Sequence, residues 1–381
     1  MYDQIREDTI FIMLYAVVTV IAALASVYLL FRRGNAFAAD VTPPRRLRRW
    51  TAAFMAVIAL GHLWYIPAAL CDSGEAVMLS LLIGGLLDSL LTIPLALVVM
   101  LCMLQDRRRP LWPVGVMVAP LVVGMVVSVV TRSEAQFPWM SGYFLLAALG
   151  FTIYMVRAVR QYGRWLRDNY ADLEHKEVWQ SFLVLAVIML IIGYYLVGDG
   201  GMAYQYITQV GGLMLIGYLL WRVETLSDLT VSQPLLMEEE TTESVSPSED
   251  ESPSPETLSD AAYEQIGTLL QQHCVDTQLY LQHNLNISEL AHAIGTNRTY
   301  LRLYFVHRET NYNAYINDLR IDHFVRIYDK AVAAQRFFTV QELVAQSGYR
   351  NYNTFALAFK QRMGKSVTEW KQKNSVEMGD F

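Results

Sequence analysis

Seven apolar stretches, each near the length needed to cross a bilayer, fill most of the first 221 residues and constrain this chain more than any other feature. They are approximately Ile10–Phe31, Thr51–Leu70, Ala76–Leu104, Leu111–Thr131, Pro138–Arg157, Trp179–Gly198 and Ala203–Trp221. A helix needs about 20 predominantly apolar residues to span the hydrocarbon core, and a helix satisfies its own backbone there. Residues 1–222 are therefore expected to form a multi-pass domain of about seven transmembrane helices. The third stretch is broken by Gly84, Gly85, Asp88 and Pro94, which predicts a tilted, kinked or partly re-entrant segment. The first lacks a basic leader and runs into further spans, so it is expected to be retained.

Basic residues stay on the cytoplasmic side of a membrane protein, so the connections predict its orientation. Arg32–Trp50, Gln105–Pro110, Arg157–Val178 and Arg222 hold 15 Lys/Arg together, whereas the alternate set holds only Arg6 and Arg132. The N-terminus is expected outside, and an odd number of spans then delivers everything after Trp221 to the cytoplasm. Ionisable residues inside spans are costly and mark functional candidates. His62 in the second stretch and Asp88 in the third form a possible sensor site that binds a cation or polar ligand, relays a proton or pairs internally. The plainer alternative is that each is a satisfied polar group between helices. Asp199, Tyr204 and Tyr206 lie at the outer end of the last two stretches, as interface markers or as the lining of an outward-facing pocket.

Charge changes sharply after Arg222. Val223–Asn297 has 14 Asp/Glu and no Lys/Arg, whereas Arg298–Lys373 has 13 Lys/Arg against 6 Asp/Glu. Residues 223–260 are rich in Glu, Ser, Thr and Pro and lack aromatic residues, a composition that predicts an acidic disordered linker. Its span is on the order of 30 Å for a flexible chain of this length. A polyanion beside a basic block is also a candidate electrostatic brake on nucleic-acid binding. The basic block is the footprint expected of a nucleic-acid reader.

Residues 261–374 carry helical patterns. Ala261–Gln282 is expected to be an amphipathic helix. Ile287–Gly295 reads as a short helix ended by glycine, followed by a second helix with Leu301 and Phe305 on its inner face and Arg298, Thr299, Tyr300 and Arg302 on the other. A short helix, a glycine turn and a polar-faced second helix form the helix-turn-helix pattern. The pattern returns, with Val340, Leu343 and Gly348 answering Ile287, Leu290 and Gly295, and Phe355 and Phe359 answering Leu301 and Phe305. The second turn is one residue longer. Between the units, Tyr312–Ala334 is expected to be one amphipathic helix, long enough to set two reading heads about one DNA turn apart. Arg320, within it, is expected to be an internal salt-bridge partner.

Tyr263–Lys373 resembles the DNA-binding domain of the AraC-type regulator family. The likeness is most specific in Gly348-Tyr349-Arg350-Asn351-Tyr352-Asn353-Thr354-Phe355, then Ala358-Phe359-Lys360, Gly364-Lys365-Ser366 and Trp370. It implies an all-α bacterial transcription regulator, fused here to a multi-pass membrane domain in the inner membrane. The resemblance implies double-stranded DNA as a partner, the apolar stretches imply the lipid bilayer, and an unidentified signal ligand and a second copy in a homodimer are the further partners expected of a membrane-tethered regulator. By position, the resemblance implies base contacts from Asn297, Arg298, Thr299, Tyr300 and Arg302, and from Arg350, Asn351, Tyr352, Asn353 and Thr354. Arg302 and Asn353 lead, because arginine pairs with guanine and asparagine with adenine. Leu357 stands where several relatives place a base-reading arginine. Arg308, Lys360 and Arg362 are the implied phosphate contacts.

No metal-ligand cluster, nucleophile elbow, phosphate-binding glycine loop or kinase-like motif is visible, and no cofactor is implied. Cys71, Cys102 and Cys274 are far apart and read as structural. A non-enzymatic regulator is therefore expected. The alternative is a transporter-like or enzymatic membrane domain whose state the attached DNA-binding domain reports. Residues 375–381 read as a tail.

Overall fold

A computed structural model describes residues 8–32, 35–36, 41–70, 73–180, 201–229 and 259–378. All regular elements among them are helical, and the chain divides into two compact units. One comprises Met1–Gly163 and His175–Val231; the other comprises Arg164–Glu174 and Ser232–Phe381.

The first unit contains α1 (Thr9–Phe31), α2 (Arg45–Trp64), α3 (Gly74–Cys102), α4 (Trp112–Thr131), α5 (Phe137–Asn169, whose last turns belong to the second unit) and α6 (Met202–Thr225). Asp8 caps α1 by accepting from the Phe11 N–H at 3.0 Å. Val18, Ala22, Ala25 and Leu29 recur at helical spacing on the face of α1 that is buried, and Ser26 Oγ donates to Ala52 O of α2 at 2.8 Å. The opposite face presents Ile10, Met13, Val17, Leu24 and Leu30 outward. A helix that is apolar all round is suited to lipid on the face that the protein does not cover.

Helices α1, α3, α4 and α5 are long and apolar enough to cross a membrane. Helix α2 opens with Arg45, Arg46, Arg48 and Arg49, and α6 carries Gln205, Gln209, Arg222 and Glu224, which lowers the apolar content of both. The stretch Trp179–Gly198, with Asp199 and Cys71, falls almost wholly outside the described residues. The interrupted third stretch is one helix with a π turn at Asp88–Thr92. Gly84, one turn before Asp88, leaves room for the Tyr65 ring, which would stand 2.3 Å from any Cβ added there.

Two boundaries differ from expectation. Helix α5 runs beyond Arg157 to Asn169, about 50 Å in all, so its last turns carry Arg157, Arg160, Arg164 and Arg167 past the apolar stretch. The acidic linker does not begin at Val223. Val223, Leu226 and Leu229 are buried at three-residue intervals, and Leu229 N–H donates to Gln105 Oε1 at 2.9 Å. Apolar spacing there outweighs the acidic composition.

The second unit contains α7 (Asp260–Leu270), α8 (Ile287–Ile294), α9 (Arg298–His307), α10 (Tyr312–Ala333), α11 (Val340–Gln346), α12 (Tyr352–Met363) and α13 (Val367–Met378). Helix α7 stops well short of Gln282. It loosens into a π turn at Gln271–Val275 and breaks at Gln278, whose φ is 59°. Helix α13 runs past Asn374, so the helical domain extends into the expected tail.

Helix α10 is the shared spine of two cores. Tyr312 and Ile316 pack with Leu290, Ile294, Leu301 and Phe305, whereas Phe324 and Tyr328 pack with Leu343, Phe355, Phe359 and Trp370. Arg320 sits between them, 2% exposed. Among the described residues no salt bridge holds it, contrary to expectation: Nε donates to Tyr280 O at 2.7 Å and Nη2 to Gln282 O at 2.8 Å. Burial lowers its pKa from the ordinary arginine value.

Candidate nucleic-acid interface

The two helix pairs, α8–α9 and α11–α12, begin and turn alike. Asn286 and Glu289 form a capping box at α8, and Thr339 and Glu342 form one at α11. Gly295 and Gly348 follow the first helix of each pair at φ 73° and 87°. Asn297 and Asn351 then cap the second helices, accepting from Tyr300 N at 2.8 Å and Thr354 N at 2.9 Å. Each short helix thus has its ends fixed by local side chains, and its partner is aimed by a tight turn.

The expected base-contact residues divide by exposure. Thr299, Tyr300 and Arg302 are exposed on α9, while Arg350, Tyr352 and Asn353 are exposed at the start of α12. Asn297, Arg298, Asn351 and Thr354 are half-buried, and both asparagines spend their Oδ1 on capping. Leu357 is 63% exposed on α12, an apolar side chain left on an outward face.

The expected phosphate contacts differ in availability. Lys360 is exposed, and Arg308 is exposed with its guanidinium carbon 5.4 Å from the Tyr304 ring centre. Arg362 is engaged: Nη2 lies 2.7 Å from Asp322 Oδ1 and Nε 3.4 Å from Asp318 Oδ1, and Nη1 donates to the Asp318 carbonyl. Burial raises the Asp318 carboxyl above its usual range, and the Arg362 guanidinium draws it back.

Two acidic residues with no expected role reach this surface from Arg164–Glu174, which belongs to the same compact unit. Asp168 Oδ2 lies 3.5 Å from Arg302 Nη2, and Glu174 Oε1 accepts from Asn351 Nδ2. Neither stands out in the sequence, because the connection Arg157–Val178 is distinguished there by its five basic residues. The mixture of Asp168, Asp172 and Glu174 with those bases was the available signal.

In the first unit, His62 and Asp88 share no hydrogen-bond partner among the described residues. His62 Nδ1 lies 2.8 Å from Ile58 O and Nε2 lies 2.9 Å from Gln209 Oε1 of α6. Asp88 accepts from Tyr65 OH at 2.6 Å and from Thr92 Oγ1 at 2.8 Å. Tyr206, an expected marker of the outer end, donates to Asp8 at 2.9 Å. Cys102 and Cys274 are buried free thiols.

Among the described residues no group of three or more His, Cys, Asp or Glu is arranged to hold a metal ion. Comparison with known protein families, curated proteins and solved structures finds no match to this chain.

Proposed function

We propose that this protein is a membrane-tethered, sequence-specific DNA-binding transcription regulator of the AraC type. The observation that carries this reading is the pair of matched α8–α9 and α11–α12 arrangements, with equivalent caps and left-handed glycines, joined by one continuous helix. Each is read as a helix-turn-helix unit whose second helix enters a major groove. Helix α10, with 22 residues, measures about 33 Å, near one turn of DNA. Two successive grooves are then within reach of one domain.

Arg302, Tyr300 and Thr299 on α9, and Arg350, Tyr352 and Asn353 on α12, are the proposed base readers. Arg308 and Lys360 are the proposed phosphate contacts. Arg362 is better read as a clamp on α10 through Asp318 and Asp322. Asn297 and Asn351 position the reading helices by capping them, so their substitution affects every site sequence alike.

The membrane unit is read as seven spans with the N-terminus outside and the DNA-binding unit in the cytoplasm, on the strength of the 15-to-2 division of basic residues. It senses a signal or anchors the reader. Its π turn at Asp88, held by Tyr65 and Thr92, is the proposed place where helix packing responds, since π turns concentrate at functional positions. Dimerisation through this unit raises affinity by effective concentration.

Genome-wide mapping of DNA bound by the wild type and by Arg302→Ala tests the reading. Enriched sites sharing a sequence motif, lost or altered in the variant, are expected. Recovery no different from a chain lacking residues 259–378 would overturn it.

A further inference from the structure

We propose that Arg164–Glu174 is a built-in competitor for DNA, a strap that holds Asp168 and Glu174 over the donors Arg302 and Asn351 and lowers the affinity of the reading surface. This inference rests on the DNA-reading role proposed for α9 and α12, and it concerns the regulation of that surface.

The strap is anchored by contacts that carry no charge. Ala171 is 2% exposed within the first core, and its N–H donates to Leu285 O at 3.2 Å. Asn313 Nδ2, from α10, donates to Ala171 O at 2.6 Å and to Tyr170 O at 3.2 Å. Tyr170 forms an isolated antiparallel bridge with Asn286, the residue that caps α8. These bonds fix the middle of the strap to the entry of α8 and the first turn of α10. Asp172 Oδ1 then accepts from Glu174 N at 3.0 Å, which turns the chain so that Glu174 meets the cap of α12.

The two ends have a different character. Asp168 reaches Arg302 in an ion pair of 3.5 Å, with the two side chains 28% and 63% exposed. Such a pair is weak and readily exchanged. Glu174 places a carboxylate at the N-terminus of α12, where the helix dipole favours an anion and where DNA would offer a phosphate. One carboxylate thus occupies an exposed arginine of the first reading helix, and the other occupies the amide that opens the second. A duplex must displace Asp168 from Arg302 and meets the Glu174 carboxylate beside the start of α12, and its own phosphates repel both, so the strap costs affinity without blocking the fold.

The mechanism is local, and this separates it from a general effect of negative charge. If Asp168 acts through Arg302, neutralising Asp168 helps only while Arg302 is present. A diffuse field helps in either background.

The test uses the full chain in lipid nanodiscs and a fluorescent duplex of randomised sequence at fixed ionic strength. Asp168→Asn combined with Glu174→Gln is expected to tighten binding on the order of tenfold. The matched control, Glu309→Gln with Asp329→Asn, removes the same charge from exposed sites elsewhere in the unit and is expected to change binding little. In an Arg302→Ala background, Asp168→Asn is expected to lose most of its effect. Equal gains from the strap variant and the control, or an undiminished gain from Asp168→Asn without Arg302, would overturn the strap. Wild type and strap variant binding DNA equally would do the same and leave the DNA-reading role standing. Absence of duplex binding by every version would instead refute that role and the strap with it.

Discussion

The guanidinium carbon of Arg320 stands 5.5 Å from the centre of the Tyr349 ring, so one residue of the spine α10 touches the turn of the second helix pair while it hydrogen-bonds the segment before the first. Its Nε and Nη2 serve the carbonyls of Tyr280 and Gln282, and its guanidinium carbon lies over Tyr349. A cation buried on carbonyl oxygens and an aromatic face is costly to desolvate but more costly to remove, because the carbonyls are left without donors.

Arg320→Met is therefore expected to destabilise the second unit by about 3 kcal/mol, although the replacement is apolar and of similar length. The measurement is the urea midpoint of the full chain in detergent, read by pulse proteolysis of residues 259–378. A midpoint equal to wild type would show that the two carbonyls find other donors at no cost.

The two turn glycines separate conformational strain from steric strain. At Gly295, φ is 73° and an added Cβ meets nothing within 4 Å, so Gly295→Ala is expected to cost about 1 kcal/mol from the left-handed backbone alone. At Gly348, φ is 87° and a Cβ would lie 2.9 Å from Leu281 Cα and O, both backbone atoms. Gly348→Ala is expected to cost at least about 2 kcal/mol more, since the segment that Arg320 holds cannot move aside. Equal losses in the same unfolding assay would mean that Leu281 gives way.

A pH effect follows from His323. Burial lowers its pKa, and the positive charges of Arg326 and Lys330 lower it further. Its Nδ1 faces Tyr280 OH at 3.1 Å and Arg326 Nη2 at 3.3 Å, so the neutral ring serves as an acceptor. Because the folded value lies below the unfolded one, the unfolded chain takes up the proton first as pH falls. Stability is full above the ordinary histidine range and is lost as pH drops through it toward the folded value. The wild type is expected to lose more stability than His323→Gln between pH of about 7.5 and about 5.5, a window set by the ordinary histidine value near 6.5. Parallel losses in the two proteins would assign the effect to other groups.

The sequence made the repeat legible because its punctuation is local. Asn286 with Glu289, Thr339 with Glu342, and the glycines at 295 and 348 announce helix ends within a few residues of where they act. The end of α7 was not legible: apolar Leu279 and Leu281 invite an extension of the helix, yet the backbone has already turned over at Gln278. The partners of Arg320 were hidden for a related reason, since main-chain carbonyls carry no residue identity. The carboxylates on Arg302 and Asn351 come from more than 130 residues upstream, and only the folded chain brings them there.

In the first unit, His62 and Gln209 tie α2 to α6 across 147 residues, with Nε2 and Oε1 2.9 Å apart. Tyr15 of α1 joins the same place, its OH donating to His62 O at 2.6 Å and its ring centre 4.4 Å from the imidazole. Polar links between helices in an apolar surround average about 0.6 kcal/mol and reach about 1.7 kcal/mol. A double-mutant cycle with His62→Ala and Gln209→Ala is expected to give a coupling of about 1 kcal/mol, measured on the detergent-solubilised full chain by denaturation in a second, harsher detergent. The cycle removes each partner's separate losses, including the edge-on contact of Tyr15 with His62, so only the contact between α2 and α6 is counted. A coupling of zero would leave His62 to its contacts with Tyr15 and with Ile58 O, and helix α6 would then be held by its apolar face and by other bonds such as those from Tyr206 to Asp8 and from Tyr28 to Glu224.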